Sequence, residues 1–257
     1  ADLYTTVNVV SSAASTIADV SIDKATTLNV SGAGVTTFTA NASVLVLATV
    51  TSTGGGLSLG TALGTGVLFT GGTGVETISI GATTKAITMG AGNDSVTIGA
   101  SALGTAGSVD AGDGTADVLT MTTGNANAAS ANGTFETTIS GFERLSLSDS
   151  AASNSVDLAN LDDINYVTSA GSAGTLTISN ASSGFNLIQT VAATTGHTVT
   201  LADSSATTDA ITYKLTNVAS TAAGTLTANS IETIAIESDD TAAVDNTTVD
   251  HTLTLSA

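Results

Sequence analysis

The sequence predicts an all-β fold, a right-handed parallel β-roll or β-helix solenoid that continues into further short-strand β modules. Three observations lead to this prediction. A short phrase of spaced glycines, followed by an acid and an aliphatic residue, recurs three times. Bursts of Val, Ile and Leu recur at intervals of roughly nine to twelve residues, separated by Thr, Ser, Ala and Gly. No segment of the 257 residues carries helical apolar spacing over three turns, and the chain contains no proline.

The repeated phrase is the most informative feature of the chain. Residues 71–79 read GGTGVETIS, residues 89–97 read MGAGNDSVT and residues 111–119 read AGDGTADVL. Glycines permit tight turns with positive φ, acids and turn carbonyls supply hard oxygen ligands, and the aliphatic residue begins a short strand. This is the nonapeptide pattern of a calcium-binding parallel β-roll. A single copy would be an ordinary Gly/Asp turn, but three copies in near-register favour calcium.

The spacing of the first two copies predicts how their turns stack. Glu76 and Asp94 are 18 residues apart, as are Gly72 and Gly90. In a roll with two nonapeptides per coil, this spacing puts both turns on the same edge, one directly above the other. A cation between the turns would therefore receive ligands from both.

The first half of the chain, residues 1–123, is predicted to be a β-solenoid with these turns. Its short strands include VNVV at 7–10, LSL at 57–59 and VTI at 96–98, and each coil would bury its apolar face only by stacking on its neighbours. The stretch 124–133, GNANAASANG, is poor in large apolar residues and is predicted to be the boundary.

The second half, residues 134–257, is predicted to be another solenoid-like region with two related modules. Residues 139–149 read ISGFERLSLSD and residues 228–240 read ANSIETIAIESDD, so Glu143 and Glu232 hold corresponding places. Further acids follow each copy, at Asp149 in the first case and at Asp239, Asp240, Asp245 and Asp250 in the second. Because almost no base is available to pair with the second group, it predicts a calcium site close to Glu232.

Charge and composition limit the partners. Twenty-two acids and four bases give a formal charge of −18, which opposes binding to nucleic acid and to anionic lipid. No apolar run is long enough for direct membrane insertion. The chain has no cysteine, which excludes disulfides and thiolate metal sites. We expect the chain to be part of a longer protein.

Residues for catalysis are scarce, and the sequence predicts that the chain is not an enzyme. Lyases built on parallel β-helices need a strong base and sugar-binding aromatics, but Arg144 is the only arginine and tryptophan is absent. Asp250 and His251 are adjacent, so on a strand they would point to opposite faces. His197 and His251 are predicted to be solvent-facing strand positions.

The nonapeptides, together with ATTKAITMG at 82–90 and the GFE and IET modules, resemble the RTX-type surface-layer proteins of Gram-negative bacteria, which carry haemolysin-type calcium-binding repeats. The resemblance is dense over about residues 25–122 and looser after 130. The chain departs from the pattern where Glu76 replaces an Asp, Met89 replaces a Gly and Ala116 is inserted. Asp94 therefore lies in the best-preserved copy.

The resemblance implies a structural protein that is secreted by a type I route and binds multiple Ca²⁺ ions. It would assemble with copies of itself into a two-dimensional lattice, a surface layer, on the bacterial cell. Regions outside this chain would anchor it to the cell surface. The alternative is a calcium-rigidified stalk of a secreted RTX repeat adhesin, which would share the acidity and the repeats. The candidate metal ligands are Gly72, Gly74, Glu76, Gly90, Gly92, Asp94, Asp110, Asp113, Asp117, Glu143, Asp149, Glu232, Asp239, Asp240, Asp245 and Asp250.

Overall fold

A computed structural model describes residues 4–18, 24–39, 47–150, 153–193, 195–217, 220–241 and 251–256. The chain forms two compact units. The first unit consists of Ala1–Thr120 and Phe135–Phe142, and the second consists of Met121–Thr134 and Glu143–Ala257.

The first unit is built from very short strands that alternate between two parallel sheets. The strands are β1 (Thr6–Val10), β2 (Ser15–Ile17), β3 (Thr27–Gly32), β4 (Thr36–Phe38), β5 (Thr49–Gly54), β6 (Leu57–Leu59), β7 (Leu68–Thr70), β8 (Thr77–Ile80), β9 (Ala86–Thr88), β10 (Ser95–Ile98), β11 (Ser108–Asp110), β12 (Val118–Met121) and β13 (Ile139–Ser140). One sheet has the order β1-β3-β5-β7-β9-β11-β13, and the other follows β2-β4-β6-β8-β10-β12. Each coil thus adds one strand to each sheet. A one-turn 3-10 helix (Glu136–Thr138) precedes β13.

The core of this unit lies between the two sheets and is formed by columns of apolar side chains. In one sheet Val50 is in register with Phe69, and Ile87 is in register with Val109. These side chains are fully buried, whereas their neighbours along each strand face outward. Because a three-residue strand buries only one or two side chains, each coil depends on the coils above and below it for its apolar contacts.

The second unit has the same kind of architecture, with longer strands. They are β14 (Arg144–Leu147), β15 (Asn154–Asp157), β16 (Tyr166–Ser169), β17 (Thr175–Ala181), β18 (Phe185–Gln189), β19 (Gly196–Leu201), β20 (Ala210–Asn217), β21 (Ala222–Thr227), β22 (Thr233–Asp240) and β23 (Thr252–Ser256). Their orders are β14-β16-β18-β20-β22 and β15-β17-β19-β21-β23, again parallel. A one-turn 3-10 helix (Leu158–Asn160) follows β15.

The stretch 124–133, which was predicted to be the boundary between the two halves, overlaps a helix, α1 (Thr123–Ala129). The Thr122 hydroxyl accepts a hydrogen bond from the Asn125 N–H at 3.2 Å and so caps its first turn. Ala126 and Ala129 are buried on its inner face. Two turns of alanine and asparagine are too short to produce a recognisable helical period, which is why the sequence did not predict it.

The predicted all-β parallel solenoid is confirmed. Within the part of the chain that the structure describes, no helix has the length and apolarity that a membrane span requires. The fold positions the glycine-rich phrases at the corners that lead from one sheet to the other.

Candidate metal site at the glycine-rich turns

The three glycine-rich phrases form consecutive turns on one edge of the first unit, between β7 and β8, β9 and β10, and β11 and β12. The Ala91 N–H donates to the Gly72 carbonyl at 2.7 Å, and the Asp113 N–H donates to the Gly90 carbonyl at 2.7 Å. The turns therefore stack directly, with Gly90 next to Gly72 as their 18-residue separation predicts.

Glycine is required where these turns touch. Gly90 has φ +102° and Gly92 has φ +136°, a backbone region that other residues rarely adopt. A Cβ atom on Gly90 would lie 2.2 Å from the Gly72 carbonyl oxygen, and one on Gly92 would lie 2.3 Å from the Gly74 carbonyl oxygen. The predicted glycines thus bring the carbonyl oxygens of one turn against the backbone of the next.

Glu76, Asp94 and Asp117 stack inside this edge, and we call these three residues the acid column. Each immediately precedes a strand of the same sheet, and each side chain is at most 1 % exposed. The Glu76 N–H donates to Asp94 Oδ1 at 2.7 Å, and the Asp94 N–H donates to Asp117 Oδ1 at 2.6 Å. The Ser52 hydroxyl donates to Glu76 Oε1 at 2.9 Å. Each coil is therefore tied to the next by a carboxylate that accepts a backbone N–H.

The acid column leaves buried carboxylate oxygens without a partner. Glu76 Oε2 and Asp94 Oδ2 are inaccessible to solvent and accept no hydrogen bond. No basic side chain in the described part of the chain forms an ion pair with either residue. An unpaired buried charge is costly, so these oxygens require either a proton or a cation.

Burial raises the pKa of the Glu76 carboxyl from 4.5 to about 7, although the hydrogen bond from Ser52 opposes this rise and the nearby negative Asp94 adds to it. Burial likewise raises the pKa of Asp94, against the lowering effect of the hydrogen bond from the Glu76 backbone. Near neutral pH the Glu76 carboxyl is therefore close to its pKa, and either a proton or a cation can neutralise it.

Carboxylate and carbonyl oxygens are the type of ligand that a hard divalent cation such as Ca²⁺ prefers, and Ca²⁺ takes six to eight of them. Among the described residues no three acidic, histidine or cysteine side chains converge closely enough to enclose a metal by themselves. The carboxylates of Glu76 and Asp94 would therefore need the carbonyl oxygens of turn residues such as Gly72 and Gly74, together with water, to complete the coordination.

In the absence of metal, acid is expected to stabilise the fold. The folded state holds the Glu76 proton more tightly than the unfolded state, so this contribution is complete below pH 4.5 and is lost as the pH rises through about 7. We expect the β-sheet signal in circular dichroism of metal-free protein to increase when the pH is lowered from about 8 to 5. Glu76→Gln, which cannot ionise, should reduce this dependence. A metal-free wild-type chain that gains structure toward pH 8 would contradict the expectation.

Asp110 and Asp113 do not belong to the acid column. Both are exposed: Asp110 ends β11 and accepts hydrogen bonds from Ser140 and the Gly112 N–H at 3.1 and 3.2 Å. Asp113 lies on the outside of the turn in a shallow cleft lined by Gly92, Asn93, Gly114 and Thr115. Within the third phrase, only Asp117 points inward.

In the second unit, Glu143 and Asp149 do not share any hydrogen-bond partner among the contacts described here. Glu143 is half-buried, directly precedes β14, and accepts the Asn165 N–H on its backbone carbonyl at 3.1 Å. Asp149 accepts hydrogen bonds from the Thr123 N–H at 2.7 Å and the Thr123 hydroxyl at 2.8 Å, at the start of α1. Asp149 thus has a structural role at a helix terminus.

Of the aspartates that follow Glu232, Asp239 is the one whose side chain the structure describes, and it does not lie beside Glu232. Glu232 precedes β22 and accepts the Asp209 N–H at 2.9 Å, whereas Asp239 lies near the other end of that strand and pairs with Lys214 at 3.0 Å. At about 3.3 Å per residue, seven residues of strand separate the two acids by roughly 23 Å. Asp240 is the last residue of β22. Asp245 and Asp250 lie outside the described residues.

The expectation that both histidines face solvent is wrong. His197 is 1 % exposed and lies in a buried polar network of the second unit. His197 Nε2 is 3.1 Å from the Ser169 hydroxyl, and His197 Nδ1 is 3.1 Å from the Tyr213 hydroxyl, which donates to Gln189. His251 is half-buried, and its Nδ1 accepts the Thr221 N–H at 3.2 Å.

The network extends beyond these side chains to the backbone. The Ser169 hydroxyl, which lies 3.1 Å from His197 Nε2, also donates to the Gly171 carbonyl at 3.2 Å. Burial lowers the pKa of His197 to about 4, so the ring is neutral at ordinary pH. The network therefore joins four strands of the second unit through its core, and isolated polar residues in alternating strands do not reveal it in the sequence.

Comparison with known proteins finds no family model and no curated protein sequence that matches this chain. The resemblance to RTX-type surface-layer proteins therefore rests on the residues quoted above.

Proposed function

We propose that this chain is a structural segment of a bacterial surface layer, which folds on binding several Ca²⁺ ions and assembles with other copies outside the cell. The acid column is the observation that carries the proposal. A structural protein with a cation-dependent fold explains why buried carboxylates are stacked along one edge without basic partners.

Calcium suits this edge better than other common cations do. The available ligands are carboxylate and carbonyl oxygens, which favour calcium or magnesium over zinc or copper. Magnesium demands a small, nearly ideal octahedron, whereas calcium accepts irregular sets of ligands such as those offered by two stacked turns. Glu76 and Asp94 would be the acidic ligands, and the glycine turns would supply carbonyl oxygens.

Calcium dependence also supports the proposed location. Calcium is scarce in the cytosol and abundant outside cells, so a chain that needs about 0.1–1 mM Ca²⁺ would stay unfolded until after export. Folding outside the cell would suit the type I secretion that the resemblance implies.

The charge of the chain supports assembly that depends on cations. With a formal charge of −18, copies repel one another unless counter-ions bind between or upon them. The outward-facing strand positions of the first unit are mostly Thr and Ser, and they repeat from coil to coil. Calcium would therefore promote association as well as folding.

Assembly can be tested by measuring mass and shape as calcium is varied. We expect ordered sheets or higher oligomers in electron microscopy and light scattering at about 1 mM Ca²⁺ or above, and single chains in chelator. Magnesium at the same concentration and ionic strength is the control and should be much less effective. A folded, calcium-loaded chain that stays monomeric at high concentration would favour the adhesin stalk, and lyase or hydrolase activity on a surface polysaccharide would contradict both.

A further inference from the structure

Asp209 and Glu232 in the second unit reproduce the contact that joins neighbouring members of the acid column. The Asp209 N–H donates to Glu232 Oε2 at 2.9 Å, just as the Asp94 N–H donates to Asp117 Oδ1 at 2.6 Å. The two pairs have the same sequence separation of 23 residues. Asp209 and Glu232 directly precede the paired strands β20 and β22, so the contact again links two successive coils.

Asp209 is buried, and its carboxylate lacks part of the hydrogen bonding that it could accept. Its side chain is 3 % exposed, and its Oδ2 atom accepts no hydrogen bond. Lys214 on the following strand does not neutralise it, because the Lys214 ammonium pairs with Asp239 at 3.0 Å. A buried carboxylate oxygen that has lost its water and gained no hydrogen-bond donor destabilises the folded state, unless a positively charged group other than Lys214 contacts it.

Glu232 brings a second carboxylate to the same corner. It is exposed, and its Oε2 atom contacts the backbone of the residue whose own carboxylate is buried. A buried acid next to a solvent-accessible acid provides oxygen ligands on the protein side and room for water ligands on the other. Calcium commonly completes its coordination with water and backbone carbonyls in this way.

We propose that Asp209 and Glu232 form a calcium site in the second unit, which holds the β20 coil to the β22 coil. This inference rests on the proposed calcium dependence and extends it to a residue, Asp209, that the glycine phrases do not include. A sequence signal accompanies it: residues 209–213 read DAITY and residues 232–236 read ETIAI, which match DSVTI at 94–98 as an acid followed by alternating apolar positions.

The site is tested by calcium titration of the full metal-stripped chain, with isothermal titration calorimetry and equilibrium dialysis. Glu232→Gln removes a charge from an exposed position and retains an oxygen for the Asp209 N–H, so it should fold. We expect it to bind one Ca²⁺ fewer per chain, or to weaken one site by about tenfold or more. Asp209→Asn should lose the same ion. Asp163→Asn, which removes an exposed acid elsewhere in the second unit, is the matched control and should bind as the wild type does.

The outcomes separate this site from the acid column. If Glu232→Gln and Asp209→Asn keep the wild-type number of ions and affinities, the site is refuted, even if Asp94→Asn shows that the column binds calcium. An equal loss in Asp163→Asn would also refute it, because the effect would then be one of overall charge. If Asp209→Asn fails to fold, the calcium titration of Glu232→Gln alone decides whether the site exists.

Discussion

Removal of calcium is expected to convert the chain from a β-rich fold to a largely disordered one at neutral pH. Each coil of the first unit buries only a few aliphatic side chains, and the acid column places ionised carboxylates inside that thin core. Without a cation, ionised Glu76 and Asp94 repel each other, and the hydrogen bonds from Ser52 and the Glu76 N–H still leave Glu76 Oε2 and Asp94 Oδ2 without a partner. The free energy of calcium binding then becomes free energy of folding.

This loss is measured by far-ultraviolet circular dichroism in excess chelator at pH 7.5 to 8, followed by addition of calcium. The β-sheet signal should return at about 0.1–1 mM free Ca²⁺, the range of extracellular sites. Magnesium at equal ionic strength controls for screening of the overall negative charge. A spectrum that is unchanged by excess chelator would refute calcium-dependent folding.

Asp94→Ala is expected to be the most damaging single substitution in the acid column. It removes one proposed calcium ligand and leaves the Glu76 N–H buried without its acceptor at 2.7 Å. An unsatisfied buried donor costs about 1–3 kcal/mol, so together with the lost ion we expect a destabilisation of roughly 2–4 kcal/mol in calcium. Denaturant unfolding and calcium titration of the same samples measure both effects.

Two further variants separate the ligand from the hydrogen bond. Asp94→Asn keeps an oxygen for the Glu76 N–H but loses the charge, so it should bind less calcium with a smaller loss of stability. Asp113→Ala removes an acid on the exposed outside of the neighbouring turn and should cost less than Asp94→Ala. If neither Asp94 variant lowers the number of bound ions, the acid column is not the calcium site.

The sequence does not predict which acidic side chains lie close together in the folded chain. The glycine phrases predict stacked turns, but Asp113 and Asp117 belong to the same phrase, and only Asp117 enters the column. The acids after Glu232 lie close together in sequence, yet an extended strand carries Asp239 away from it. Proximity along the chain is a poor guide in a solenoid, because the spatial neighbours of a residue lie one coil away.

The sequence by itself determined the class of fold and the edge on which the glycine turns lie. Alternating aliphatic residues define the inward face of each strand, and the 18-residue separation of Glu76 and Asp94 sets the length of one coil. Only the tertiary structure decided which groups meet across coils: Ser52 with Glu76, His197 with Tyr213, and Asp209 with Glu232. The physical reason is that corner loops vary in length, so the register between coils is set by packing of the aliphatic columns and by backbone pairing rather than by any local pattern.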